Sequence, residues 1–288
     1  MFPGATADPS APAYTVVGAP LDVSTSFRPG ARFGPERVRR FAGTFEDYDR
    51  ATDQSFSTLD IADHGDVHAW NDPAEYCDYL ASVCREIDRD GAVPLTIGGE
   101  HTVSLGPIRA LEPDVVVVCD AHLDLRTEYD GDPWSHSTVT RHALDVADEA
   151  VILGARSGSE AEWVRADESD VTVVEPDAVG AWTPPGDYAM RDVYLSVDVD
   201  AADPAYAPGT GTPEPYGLTS RELRDVVRAV APHASGFDVV EVNDRDDGQS
   251  ATLAAKLLRD FVFAHADATA GADTDVDADG SLDGDDSS

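Results

Sequence analysis

The chain has 288 residues, with 56 acidic against 20 basic side chains and a formal charge of −36. Nucleic acids and anionic membrane surfaces are recognised through basic patches, so this balance argues against both as partners, and no apolar stretch approaches the roughly 20 residues of a membrane span. The length fits one large α/β domain or two small ones, either able to bury a substantial core.

Residues 1–13 are small and Pro-rich, with neither the basic region nor the apolar core of a signal peptide, and are predicted irregular. Tyr14 to Gly18 reads as a first strand, followed by a Pro- and Gly-punctuated loop from Ala19 to Gly34. Pro35 suits the first turn of a helix to about Thr44. Leu59 to Asp63 reads as a short edge strand. Asp72, Pro73 and Glu75 supply a cap, a first-turn proline and the acceptor of a capping box for a helix to about Asp90. Its apolar face is Tyr76, Leu80, Val83, Cys84 and Ile87. Ala92 to Ile97 is the next strand, followed by a helix from about Val103 to Leu111. Val115 to Cys119 is a continuous apolar strand of the kind buried on both faces of a parallel sheet. A helix from about Ser137 to Asp145 and strands at Ala150–Gly154, Val171–Val174 and Val193–Val199 follow. Pro204 to Gly217 must be a long loop, and such loops are usually functional. Thr219 and Glu222 cap a helix to about Val230, Gly236 to Val242 is the last strand, and Gln249 to His265 the last helix. Strands and helices alternate without a linker, which predicts one α/β domain over residues 14–265 with a mainly parallel sheet. Residues 266–288, rich in Asp, Ala and Gly, cannot build a core and are expected to be a disordered acidic tail. Cys77, Cys84 and Cys119 are an odd, widely spaced set and read as buried thiols in a reducing compartment; the expected location is the cytoplasm.

Three short motifs each follow or end a strand-like run. Asp120-Ala121-His122-Leu123-Asp124 can direct Asp120, His122 and Asp124 to one side while Ala121 and Leu123 pack behind. Such a run alone also arises on solvated turns, so its weight comes from Gly98-Gly99-Glu100-His101 upstream and Ser196-Val197-Asp198-Val199-Asp200 downstream. The collected ligands are His101, Asp120, His122, Asp124, Asp198 and Asp200. Six are too many for one catalytic ion with an open position, but they suit two ions bridged by shared carboxylates. Nitrogen and hard oxygen donors without thiolate fit Mn²⁺ better than structural zinc. Two ions lower the pKa of a shared water towards about 7, which implies a hydrolase.

GGEHT, DAHLD and Ser196 to Gly217 (SVDVDAADPAYAPGTGTPEPYG) resemble the three signature motifs of the ureohydrolases, the arginases and agmatinases, and the likeness extends from Tyr14 to about Val262. It is closest to archaeal agmatinase-like members. The resemblance implies a three-layer α/β/α fold around a mostly parallel eight-stranded sheet and a dimanganese site. One ion would take His101, Asp120, Asp124 and Asp198, the other Asp120, His122, Asp198 and Asp200, with Asp120 and Asp198 bridging. It further implies that a bridging hydroxide attacks the guanidinium carbon and releases urea and an amine. Glu241, in DVVEVN, matches the carboxylate that pairs with the guanidinium. His136, in WSHST, matches the histidine that shuttles protons, although Ser137 stands where Gly or Ala is more usual. Asp124 would also accept a hydrogen bond from the leaving-group region. The family is typically trimeric or hexameric, so a homo-oligomer is expected.

Leu125 to His136 should select the substrate. No Asn follows DAHLD to meet an amino-acid carboxylate, and Glu128 suits a cationic tail; Arg126, Trp134 and Arg141 are placed to shape the pocket. Agmatine, giving putrescine and urea on the way to polyamines, is the expected substrate. Alternatives are aminopropylagmatine, guanidinobutyrate, arginine or formiminoglutamate, and, outside catalysis, a metal-binding regulatory role.

Without the eight aspartates after His265 the charge is still −28. Such self-repulsion is tolerable where salt screens it, with a Debye length of roughly 3 Å at 1 M. The composition therefore predicts a salt-loving source, and a sample that stays folded and active in dilute buffer would contradict it.

Overall fold

Five consecutive apolar residues, Val115 to Cys119, offer no face to water and must be covered on both sides. The computed structural model describes residues 1–279 apart from 9, 69 and 244, with side chains as far as residue 271. Its strands are β1 (Tyr14–Ala19), the short β2 (Tyr48–Asp49) and β3 (Gln54–Ser55), β4 (Ile61–Asp66), β5 (Val93–Gly98), β6 (Val115–Cys119), β7 (Glu149–Leu153), β8 (Val171–Val174), β9 (Val193–Asp198) and β10 (Ala234–Val240). Eight of them form one sheet in the order β4-β1-β5-β10-β9-β6-β7-β8, in which every pairing is parallel. The strands β2 and β3 make a separate antiparallel hairpin.

The helices are α1 (Gly34–Ala42), α2 (Pro73–Arg89), α3 (Leu105–Leu111), α4 (Val139–Ala143), α5 (Glu160–Ala166), α6 (Pro176–Val179), α7 (Ser220–Val230) and α8 (Gln249–Asp279). Period-2 alternation distributes them over two layers. Val115, Val117 and Cys119 join a core with Val38 of α1, Leu223 and Val227 of α7 and Leu258 and Phe261 of α8. Val116 and Val118 point the other way, to Ile108 of α3 and Ala143 of α4. On that same side Tyr76, Leu80 and Cys84 of α2 cover Val17 and Ala19. The ring of Phe237 stacks on Phe261 at 4.8 Å between centroids. This is the expected three-layer α/β/α architecture. All three thiols are free and buried. No helix among the described residues is long and apolar enough to cross a membrane.

Differences from expectation have local causes. The helix expected from Val103 begins as a 3-10 turn, His101–Ser104, before α3. The helix α5 was not anticipated, although Ser159 and Glu162 form the capping box that opens it. The amino-terminal residues are irregular as expected but docked, with Phe2 buried against Phe56 at 5.7 Å between ring centroids. The last helix runs past His265 to Asp279, where composition alone suggested disorder; residues 280–288 of that tail lie outside the described residues.

The loop from Pro20 to Gly30 lies directly on the end of β5. Gly99 N donates to Ala19 O at 2.7 Å and Glu100 N to Leu21 O at 2.9 Å. A Cβ on Gly99 would stand 1.9 Å from the carbonyl oxygen of Leu21, so only glycine fits this seam. Gly99→Ala is expected to cost about 1–3 kcal/mol, as overpacking against fixed backbone does, read as a lower thermal midpoint; an unchanged midpoint would show that the seam yields freely.

Candidate metal centre

Strands β5, β10, β9 and β6 are neighbours, and each delivers part of one site just beyond its carboxyl end, where open parallel sheets hold their ligands. The β5 strand leads into His101, β10 into Glu241 and β6 into Asp120–Asp124, while Asp198 ends β9 and Asp200 lies in the turn after it. Asp124 and Glu241 both adopt left-handed backbone, with φ of 51° and 61°. That conformation is uncommon outside glycine and persists only where the surroundings fix it. Arg141 N bonds Asp124 O at 3.1 Å and Glu241 N bonds Gly99 O at 2.8 Å. Asp120 to Asp124 is therefore not a straight extension of the strand, yet Ala121 and Leu123 are buried behind it as expected.

His101 Nδ1 lies 2.9 Å from Asp124 Oδ2, 3.1 Å from Asp120 Oδ2 and 3.8 Å from Asp198 Oδ2. His122 Nδ1 lies 3.1 Å from Asp200 Oδ2 and 3.5 Å from Asp120 Oδ1. Asp120 thus offers one oxygen to each imidazole. His101, Asp120 and Asp124 form one group that could hold a metal ion, and Asp120, His122 and Asp200 a second. Asp198 lies beside the first: its Oδ1 accepts from Asp200 N at 2.8 Å, and its Oδ2 faces His101. Asp120 Oδ2 is buried without a hydrogen bond of its own, an orphan that a cation between the two groups would satisfy. The donors are nitrogen and oxygen only, since Cys119 belongs to the core.

The charges of these groups are interdependent. Burial pushes Asp124 up to about 7, with the Asp120 charge adding to it. Asp198 is raised well above the usual carboxylate range by burial and by Asp200, Asp120 and Glu241. Burial alone would lower both imidazoles, but Asp120 and Asp124 hold His101 well above its usual value, and Asp200 and Asp120 push His122 up to about 12. Protons on the two rings occupy the electrostatic place of cations. Behind them, His101 Nε2 lies 3.2 Å from Ser196 Oγ, which donates to buried Asp238 at 2.7 Å. Nε2 therefore keeps a proton, and Nδ1 is the nitrogen that faces the carboxylates and could ligate a metal.

A cavity of about 240 Å³ opens beside the cluster, walled by Ser26, His122, Asp124, Arg126, His136 and Glu162 among others. Glu241 is buried and is not among the residues that line this cavity; its Oε1 accepts from His101 N at 2.9 Å. Burial, against that hydrogen bond, holds the Glu241 carboxyl well above its usual range. The His136 ring is pushed down to about 4, first by burial and then by His122 and His101. Arg126 Nε pairs with Glu162 Oε2 at 3.2 Å, and the same oxygen accepts from Ser159 N at 2.8 Å. Glu128 is exposed and off the wall, and the acidic residues that line it are Asp124 and Glu162; the sequence signal for Glu162 was the Ser159–Glu162 capping box. Trp134 stacks instead on His142 at 4.5 Å between centroids, and Arg141 is not a lining residue. Thr212 Oγ1, from the long loop, donates to Asp200 Oδ2 at 3.2 Å.

Comparison with known proteins agrees with this geometry. The arginase-family profile matches residues 12–264. The N(1)-aminopropylagmatine ureohydrolase of Thermococcus kodakarensis is 35% identical over 259 residues, covering 87% of this chain and 90% of that protein. The agmatinase of Bacillus subtilis is 36% identical over 263 residues, covering 85% and 89%. The crystal structure of agmatine ureohydrolase from Thermoplasma volcanium superposes with a TM-score of 0.86 at 32% identity, covering 94% of this chain and 95% of that one. Proclavaminate amidinohydrolase from Streptomyces clavuligerus superposes with a TM-score of 0.82 at 32% identity, covering 93% and 97%. Profile, relatives and strand-end cluster converge: the chain belongs to the arginase family and is a hydrolase of amidino groups.

Proposed function

We propose that the chain is an agmatinase, hydrolysing the guanidinium group of agmatine to putrescine and urea with two manganese ions in place. One ion would be held by His101, Asp120, Asp124 and Asp198, the other by Asp120, His122, Asp198 and Asp200, a donor set that suits Mn²⁺. When bound, the ions supply Lewis acidity and a hydrolytic nucleophile at neutral pH. The observation that carries the choice of substrate is the cavity wall: Arg126 is its one guanidinium or ammonium group among the lining residues, and Glu162 already matches its charge. Among the described lining residues no guanidinium or ammonium group without a carboxylate partner is left for an α-carboxylate, and the relatives named agmatinase support the same reading.

The chain's own groups divide the remaining tasks. Glu241, pinned by His101 N–H, accepts the guanidinium as a charge-assisted pair, and the arriving cation keeps its buried carboxyl ionised. Asp124, at the cavity edge, accepts a hydrogen bond from the leaving-group nitrogen. His136 is neutral at pH 7, and with Nε2–H donating to Ser26 Oγ its bare Nδ1 takes the proton that the adding water gives up and hands it to the departing amine. Water adds to the guanidinium carbon, the carbon–nitrogen bond to the butyl chain breaks, and the amine leaves with that proton.

A carboxylate-bearing guanidino substrate is the second reading, favoured by Arg126 itself, whose terminal nitrogens make no hydrogen bond among the described residues while Nε is held by Glu162. A panel assayed for urea in high salt separates the readings. Agmatine or aminopropylagmatine should outrun arginine and guanidinobutyrate, and arginine at a rate equal to or above agmatine overturns the assignment. Absence of urea from every guanidino compound would favour a regulatory role.

Chelation should abolish urea release and Mn²⁺ restore it, with two ions per chain by elemental analysis. Asp120→Asn, which alters the shared ligand, should lose both ions. The folded, cation-free site holds His101 and His122 protonated, so binding must expel those protons. Apparent Mn²⁺ affinity is thus expected to fall as pH is lowered, with proton release in calorimetry across buffers; pH-independent affinity would remove these imidazoles from the ligand set.

A further inference from the structure

The loop from Pro20 to Gly30 has no regular structure, yet it is fixed at several points. Glu100 Oε2 accepts from Val23 N and Ser24 N, both at 2.7 Å, and Oε1 accepts from Ser24 Oγ at 2.8 Å. Glu100 is fully buried, and no ion pair to it occurs among the described residues. Its charge is met by donors of this loop together with the Thr102 hydroxyl. Asp22 closes the loop on itself, accepting from Thr25 Oγ1 and from Gly30 N at 2.7 Å each. Asn243 Nδ2 ties Arg28 O at 2.7 Å from the opposite side.

His136 rests on the part of the loop that Glu100 holds. Its backbone N donates to Ser24 Oγ at 2.9 Å, and Ser24 Oγ in turn donates a hydrogen bond to Glu100 Oε1. Its Nε2 meets Ser26 Oγ at 3.0 Å. Serines two residues apart thus engage the backbone and the ring of the same histidine. Ser26 is the one hydrogen-bond partner of that ring among the described residues, and the nearest aromatic ring, Tyr129, is 6.2 Å away between centroids.

We propose that Ser26 is the positioning residue for His136, orienting its ring so that Nδ1 serves the reaction, and that Glu100 is the anchor that keeps Ser26 in place. The inference rests on the reading of His136 as the proton-transfer group. Proton transfer is steep in geometry, because the donor must come within hydrogen-bond reach of the departing atom. A ring free to rotate is absent from that geometry most of the time, while substrate binding through Glu241 is unaffected.

The test uses the manganese-loaded full chain and the guanidino substrate it hydrolyses fastest. Ser26→Ala should lower kcat about tenfold with KM within twofold and two ions still bound, and Ser26→Thr, which restores the hydroxyl, should recover most of the rate. Glu100→Gln keeps one acceptor oxygen for the two backbone N–H groups but turns an amide donor towards Ser24 Oγ, which then loses the acceptor of its own hydrogen bond. It should lower kcat to a similar extent, speed hydrogen exchange over residues 20–30, and add little to Ser26→Ala in the double variant. If Glu100→Gln does not fold, the two Ser26 variants still decide the matter. A wild-type kcat in Ser26→Ala, a rise in KM alone, or no recovery in Ser26→Thr overturns the inference. His136→Ala separates the two levels: an unchanged kcat there defeats the role of His136 and this inference with it, whereas a large loss there beside an unaffected Ser26→Ala defeats this inference alone.

Discussion

Burying Asp120, Asp124, Asp198 and Glu241 within reach of one another is the least favourable act of this fold, because carboxylates removed from water repel and resist ionising. Much of the surrounding structure makes that act tolerable. Backbone N–H groups bond the carboxylates at short range, as His122 N does to Asp120 at 2.7 Å and Ala121 N to Asp200 at 3.1 Å. Two imidazoles interleave with them, and a second layer, Ser196 with Asp238, fixes which nitrogen of His101 faces inward. What remains unsatisfied, above all Asp120 Oδ2, defines the binding function.

The parallel sheet is the device that can hold such a cluster. Four neighbouring strands end together, and the residues beyond those ends have left the ladder and are free to turn. Two of them turn into left-handed backbone, Asp124 and Glu241, each with its peptide N–H or carbonyl tied to a neighbouring segment. The strain is held by covered strands such as β6 on one side and by the loop of residues 20–30 on the other.

Much of this was legible in the sequence because it depends on local pattern. The continuous apolar run at Val115 to Cys119 specified a strand covered on both faces, and three ligand motifs placed at strand ends specified one site. The period-2 argument at DAHLD found the right side chains for an incomplete reason: Asp124 reaches the cluster through a left-handed turn that alternation does not describe. Other features were hidden because they rest on contacts distant in sequence. Nothing in the residues around Ser26 announces His136, which is 110 positions away. The Ser159–Glu162 cap was readable, but its meaning depends on Arg126 reaching it across the cavity.

The position of β10 has a consequence for how the molecule is made. It is the last strand in the chain, yet it lies between β5 and β9. Until residues 234–240 are synthesised, the sheet is two fragments, β4-β1-β5 and β9-β6-β7-β8, each with an open edge where the other belongs. His101 sits on one fragment and the side chains of DAHLD and Asp198–Asp200 on the other. Pairings between segments so far apart in sequence form slowly, and unpaired edges invite misassociation while they wait. Closing the sheet and assembling the site are thus a single late step of folding, and the strand that completes both delivers Glu241 as its next residue.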